Sequence, residues 1–107
     1  MDIDMILSVK DRLHFPGIFA ANKDSMTEAS LQRAIRKLIA ISIDEAKEIE
    51  LQQVGTGFIW HPKKGIDKPF EFDGTQKAYL KETIYTLSKA GGVTQDLLPI
   101  CEKISEF

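Results

Sequence analysis

The residues with the most chemistry to offer lie between Trp60 and Glu71, in the run WHPKKGIDKPFE. If this run folds back on itself, His61 and Glu71 face each other as an acid–base pair, with the imidazole titrating nearest neutrality. Lys63, Lys64 and Lys68 also make it the most basic spot in the chain. Lysines beside a tryptophan and a histidine are what a phosphate- or RNA-touching loop presents. Without an arginine or a stacking motif they describe a solvated turn equally well, one whose charges discourage edge pairing.

A second set is acidic. Asp44, Glu45, Glu48 and Glu50 gather within seven residues. Such a run is commonly a solvated face, and its functional alternative is a patch that speeds association with a basic protein such as a nuclease toxin. The chain as a whole carries a net charge of −2. That disfavours a generic nucleic-acid binder and gives no strong pull toward anionic lipid.

Other constellations are incomplete. His14 and His61 are isolated, and the one cysteine, Cys101, excludes an intrachain disulfide and a cysteine-based zinc cluster. Gly55-Thr56-Gly57 lacks the third glycine and following helix of a dinucleotide site. No nucleophile-elbow motif supports a triad. The segment LSKAGGVTQDLLPICEKI has the rhythm of a helix-turn-helix, but its second helix offers Glu102 and Glu106 where a DNA reader needs cations. No metal, no cofactor and no enzymatic activity is expected.

These side chains need elements to hold them. Asp2 or Asp4 can cap a first helix with an apolar stripe of Met5, Ile6, Val9 and Leu13, ending at Phe15-Pro16-Gly17. Lys10, Asp11 and Arg12 fall on its polar side. Phe19 is expected to plug the core. Ser25 and Glu28 form a capping box for a second helix along Leu31, Ala34, Ile35, Leu38 and Ile39. Helix is expected through residue 47, with a second capping pattern at Ser42 where it can kink or restart. A restart would place Asp44 and Glu45 at a helix N-terminus, where acids are favourable.

Residues 49–74 then read as a β-hairpin. Ile49 and Leu51 alternate onto one face, Val54, Phe58 and Trp60 onto the other, so a bulge at Gly55 or Gly57 is expected to bring both sets inward. Phe70 and Phe72 are expected to pair with Phe58 and Trp60 across it. Asp73 and Gln76 box a third helix along Ala78, Leu80, Ile84 and Leu87, which stops at Gly91-Gly92. Thr94 or Asp96 starts a last helix whose inner face holds Leu97, Ile100, Cys101 and Ile104, with Phe107 continuing the stripe.

The expected fold is a small α+β domain over residues 1–107: two N-terminal helices, a central hairpin and two C-terminal helices. At this length a groove or flat surface is a likelier working part than an enclosed cavity. The start MDIDMILSV is acidic where a secretory leader is basic, and the apolar run 38–43 is too short to span a bilayer. A soluble cytoplasmic protein away from membranes is expected. The favoured reading is a protein-binding module, an immunity- or antitoxin-like inhibitor or an assembly adaptor. Its candidate contacts are Asp44, Glu45, Glu48, Glu50, His61, Lys63, Lys64 and Lys68. The alternatives are a nucleic-acid-associated protein using the basic tip and a small enzyme centred on His61 and Glu71.

Overall fold

Residues 3–107 are described by a computed structural model. The elements run β1 (Met5–Leu7), α1 (Val9–His14), a 3-10 turn (Phe15–Phe19), α2 (Met26–Ile39), α3 (Ile43–Glu48), β2 (Gln52–Val54), β3 (Gly57–Ile59), β4 (Lys68–Phe70), α4 (Gly74–Lys89) and α5 (Leu98–Ser105). The arrangement is α+β, with β1 antiparallel to β4 and β2 antiparallel to β3 in two separate sheets.

The first departure from expectation is at the start. A strand and a short helix stand where one helix was expected. Met5 and Leu7 are buried and Ile6 is exposed, a period of two. Met5 lies opposite Phe70, Ile6 opposite Pro69 and Leu7 opposite Lys68. The helix begins only at Val9, capped by Ser8 in a capping box with Asp11. Asp4 is instead a tether: it accepts from the Phe72 N–H at 2.8 Å and pairs with Lys77 at 2.7 Å. Asp2, the other candidate cap, lies outside the described residues. The outer side of β1 is closed by Lys103, whose ammonium donates to the Ile6 carbonyl and to Asp11 at 2.8 and 2.9 Å.

The second departure is Arg12, which is buried rather than on a polar face, only 6% exposed. Its Nε and Nη2 donate to the Ile39 and Ala40 carbonyls at 2.9 and 2.8 Å. These are carbonyls that the end of α2 leaves without an intrahelical partner. The same guanidinium grips Glu45 with both Nη atoms and lies 5.3 Å from the centroid of the Phe70 ring. Ala40 turns extended, and Ser42 then caps α3 by accepting from the Glu45 N–H. The helix expected to residue 47 is therefore two helices, with the break at Ala40 and the restart at Ser42. Asp44 and Glu45 stand in the first turn of α3, as a restart required.

The expected capping boxes at Ser25–Glu28 and Asp73–Gln76 both form. Phe15, Ile18, Ile35, Leu80, Ile100 and Ile104 are among the residues at the centre of the core. Phe19 joins them, stacked on Tyr79 with ring centroids 6.0 Å apart. Ala34, Leu38 and Ala78 are exposed, so the buried stripes of α2 and α4 are narrower than the sequence pattern suggests. Gly91, with φ +70°, follows the end of α4, as a helix stop of that kind requires. The cap of α5 is Leu97, which makes no side-chain bond; Thr94 acts one turn earlier, its hydroxyl accepting from the Leu97 N–H at 3.3 Å. Cys101 packs in the core as expected.

The third departure concerns the hairpin. β3 does not pair with the strand carrying Phe70: that strand pairs with β1, and β3 pairs with β2. Phe72 is buried against Phe107, and Phe58 is left exposed. No bulge is needed at Gly55. It has φ +61° and opens a two-residue loop, Gly55-Thr56, between the paired residues Val54 and Gly57. The radius of gyration, 14.1 Å, exceeds the roughly 13 Å expected of a compact chain of this length, in keeping with a hairpin that stands off the body.

Two stability predictions follow from these backbone and charge constraints. The Arg12 guanidinium, Lys68 and the hydrogen bonds from both hold Glu45 below the usual carboxylate range against the opposing effect of burial. Stability from Glu45 is thus fully present above the ordinary carboxylate pKa of about 4 and is lost as pH falls through its lower folded value. Glu45→Gln should cost about 3 kcal/mol in urea unfolding at pH 7, and the gap from wild type should shrink at pH 3. Glu50 holds φ +58° with a side chain present. Glu50→Gly should raise the urea midpoint, by up to about 1 kcal/mol of stability.

Candidate functional site

The β2–β3 ribbon is the part of the fold that the body does not use. Gln52 pairs with Ile59, Gln53 with Phe58 and Val54 with Gly57, and all six are exposed. The apolar members keep large exposures, 57% for Val54, 44% for Phe58 and 54% for Ile59. Val54 and Gly57 flank a two-residue turn, so they form a hydrogen-bonded pair; Gln53 and Phe58, one step along, form a non-hydrogen-bonded pair. The backbone N–H and C=O of Phe58 therefore point away from β2, and among the described residues they meet no other backbone partner.

Where the ribbon joins the body, the His61 N–H donates to the Ile49 carbonyl at 2.8 Å, and Ile49 is buried. Trp60 is half-buried there. Its ring edge rests on Gly65, where a Cβ would come within 2.7 Å of Cδ1 and 2.8 Å of Nε1, and Val9 stands on the far side of the same gap. Glycine at 65 is thus what lets the indole settle. Alternation places Phe58 and Trp60 on one face of the ribbon. Together with Thr56 they face Lys10, Leu13 and His14 of α1 across a groove of about 420 Å³.

The sequence-predicted site residues are arranged differently from two opposed charged surfaces. Glu45, with its side chain 11% exposed, is committed to Arg12 and lies 3.2 Å from Lys68. Glu50 lies 3.1 Å from Lys64. The end of the acidic run and the basic tip therefore meet and neutralise each other. Asp44, Glu48 and Lys63 are exposed and enter no ion pair among the described residues. His61 accepts through Nδ1 from the Lys63 N–H at 3.2 Å and makes no bond to Glu71, which sits just beyond β4 on the β1 side. The acid–base pair that the enzyme alternative needs across the hairpin does not assemble, because β3 and β4 belong to different sheets.

A second concavity, about 280 Å³, lies between the start of α2 and the middle of α4. Asn22, Asp24, Tyr79 and Thr83 on its wall are bonded to one another and to Gln32. Asp24 accepts from the Tyr79 hydroxyl at 2.6 Å and from Gln32 at 2.9 Å, while Asn22 donates to Tyr79 and Thr83 at 3.0 Å each. Burial, then the Asp24 carboxylate, pushes the Tyr79 phenol up. This cluster braces the loop before α2 against α4. Burial and Glu102 likewise hold the Cys101 thiol above its ordinary pKa, which disfavours the reactive thiolate. Among the described residues, no three His, Cys, Asp or Glu side chains are placed to hold a metal ion, and no helix is long and apolar enough to cross a membrane.

Val54, Phe58 and Ile59 were missed as candidate surface residues. The one sequence signal for them was Pro69, which suits an edge or strand-start position and so weakens a long central pairing with Phe58. No family model, curated protein or solved structure matches this chain.

Placing a methyl group under the indole tests this geometry. Gly65→Ala should push Trp60 into the groove, shifting its fluorescence emission toward that of a water-exposed indole. The stability cost should be about 1 kcal/mol, because an indole open on one side can yield.

Proposed function

We propose that this chain is a protein-binding module whose contact is centred on the β2–β3 ribbon. An inhibitor of the immunity or antitoxin type, or an assembly adaptor, fits that description. The observation that carries the reading is the set of exposed Val54, Phe58 and Ile59 on a ribbon whose two strands make their main contacts with each other. A lone two-stranded hairpin is marginal in water. Open strand edges with apolar side chains invite pairing with another chain. Covering the half of each side chain that is still exposed would return about 1 kcal/mol, and aromatic residues are favoured anchors at interface centres.

The charge pattern supports a protein partner over a nucleic acid. Glu45 holds Lys68 and Glu50 stands 3.1 Å from Lys64, so each of these two lysines has an acid beside it. A steering role for the acidic run narrows to the exposed Asp44 and Glu48, since Glu45 supports the fold. A reducing compartment such as the cytoplasm suits a chain whose one cysteine is a core residue.

Affinity capture from the source cells with wild-type protein and with Phe58→Asp tests the reading. A partner captured by the wild type should be lost with the variant, while the melting temperature stays within the change expected of an exposed site, about 0.5 kcal/mol. Undiminished capture by Phe58→Asp would move the contact off the ribbon. Salt-sensitive quenching of Trp60 by single-stranded RNA would replace the protein partner with a nucleic acid.

A further inference from the structure

Resting on that protein-binding reading, we infer that the free edge of β3 accepts an extended segment of the partner as an added strand. The segment alternates apolar residues with at least one carboxylate placed to meet Lys10 and His14.

Three observations converge on this occupant. The first is the backbone. The register turns the N–H and C=O of Phe58 outward, away from β2, and leaves them without a backbone partner among the described residues. Such a pair is what an incoming strand bonds in β-augmentation. The second is the groove over the face of β3 that carries Phe58. Thr56, Phe58 and Trp60 form one side of it, and Leu13 supplies an apolar patch on the α1 side. Every second side chain of an added strand would turn toward this floor, and the others toward solvent. At about 3.4 Å per residue, the three residues of β3 match an added strand of three or four residues.

The third observation is charge. Lys10 and His14 rim the groove, and no acidic side chain lines it. Lys10 has one ion-pair partner among the described residues, the exposed Asp96 at 3.4 Å. An exposed pair of this kind is worth little and can be exchanged. A carboxylate on the incoming segment complements this rim. A second copy of the chain does not. Its own β3 and flanks, residues 55–63 (GTGFIWHPK), contain no acid, and two-fold pairing around Phe58 would bring another Lys10 and His14 with it. A nucleic acid would use the aromatic faces and leave the strand edge unbonded.

Selection from a random peptide library displayed on phage, followed by binding of the selected sequences as synthetic peptides, tests the inference. The expected peptides alternate apolar residues with Asp or Glu and lose binding to Phe58→Asp. A saturating peptide should slow hydrogen exchange of the Phe58 amide at least tenfold. N-methylation of alternate peptide amides should weaken binding at least tenfold in one of the two registers. Lys10→Glu should weaken it at least fivefold with an unchanged melting temperature. Peptides that need Phe58 but leave its amide exchanging freely, or that are enriched in Lys and Arg, would overturn strand addition and leave the protein-binding reading in place. So would a library that yields no binder while a captured partner is still lost with Phe58→Asp. No binder together with a partner retained by Phe58→Asp would remove both. Concentration-dependent dimerisation that protects the Phe58 amide without peptide would assign the edge to a second copy instead.

Discussion

One buried guanidinium sets the layout of the N-terminal half. Arg12 reaches from α1 to the last carbonyls of α2, to the first turn of α3 through Glu45, and to the ring of Phe70 in β4. A charge this deep is tolerable only if its donors are met and an opposite charge is close. Here two carbonyls and a carboxylate meet them, and no buried side-chain nitrogen or oxygen among the described residues lacks a partner. The arrangement requires α2 to stop where its carbonyls face Arg12. It also requires α3 to start so that Glu45 points back. The break at Ala40 and the cap at Ser42 satisfy both conditions.

That constraint propagates to the rest of the chain. Lys68 joins Glu45 on the same network, which helps hold β4 beside α1 and within reach of β1. β1 and β4 pair with each other, and β2 and β3 pair apart from them in a sheet of their own. The ribbon then projects with apolar side chains in solvent and a strand edge unpaired, a local conflict of the kind that well-folded domains tolerate at sites of function. At the root of the ribbon the half-buried Trp60 lies against Gly65, and it forms one wall of the groove beside α1. The core and the exposed ribbon are thus consequences of one pairing choice.

Much of the helical framework was legible in the residues. Ser25 with Glu28, Ser42 and Asp73 with Gln76 are local signals, because a cap needs only a side-chain oxygen within three residues of the N–H it accepts from. Gly91 and the buried face of α5 were legible for the same reason. The strands were not. Met5, Ile6 and Val9 fit a helical stripe while Met5, Leu7 and Val9 fit an alternating strand, and so short a run does not separate the two periods. Arg12 reads as a surface residue until Ile39, Ala40 and Glu45, from about 27 to 33 residues away, are brought around it.

The candidate site shows the same division. Composition and spacing marked residues 49–74 as unusual and marked their charged members as candidate contacts. Pairing partners lie dozens of residues apart, however, and no local rule selects β1 over β3 as the neighbour of β4. That selection buries Phe72, cancels Glu50 and Glu45 against Lys64 and Lys68, and exposes Phe58 and Ile59. The sequence by itself determined the caps at Ser25, Ser42 and Asp73 and the helix stop at Gly91, since each rests on contacts within one or two turns of chain. Only the tertiary structure decided which aromatics became core and which stand in solvent, because that depends on which strands meet.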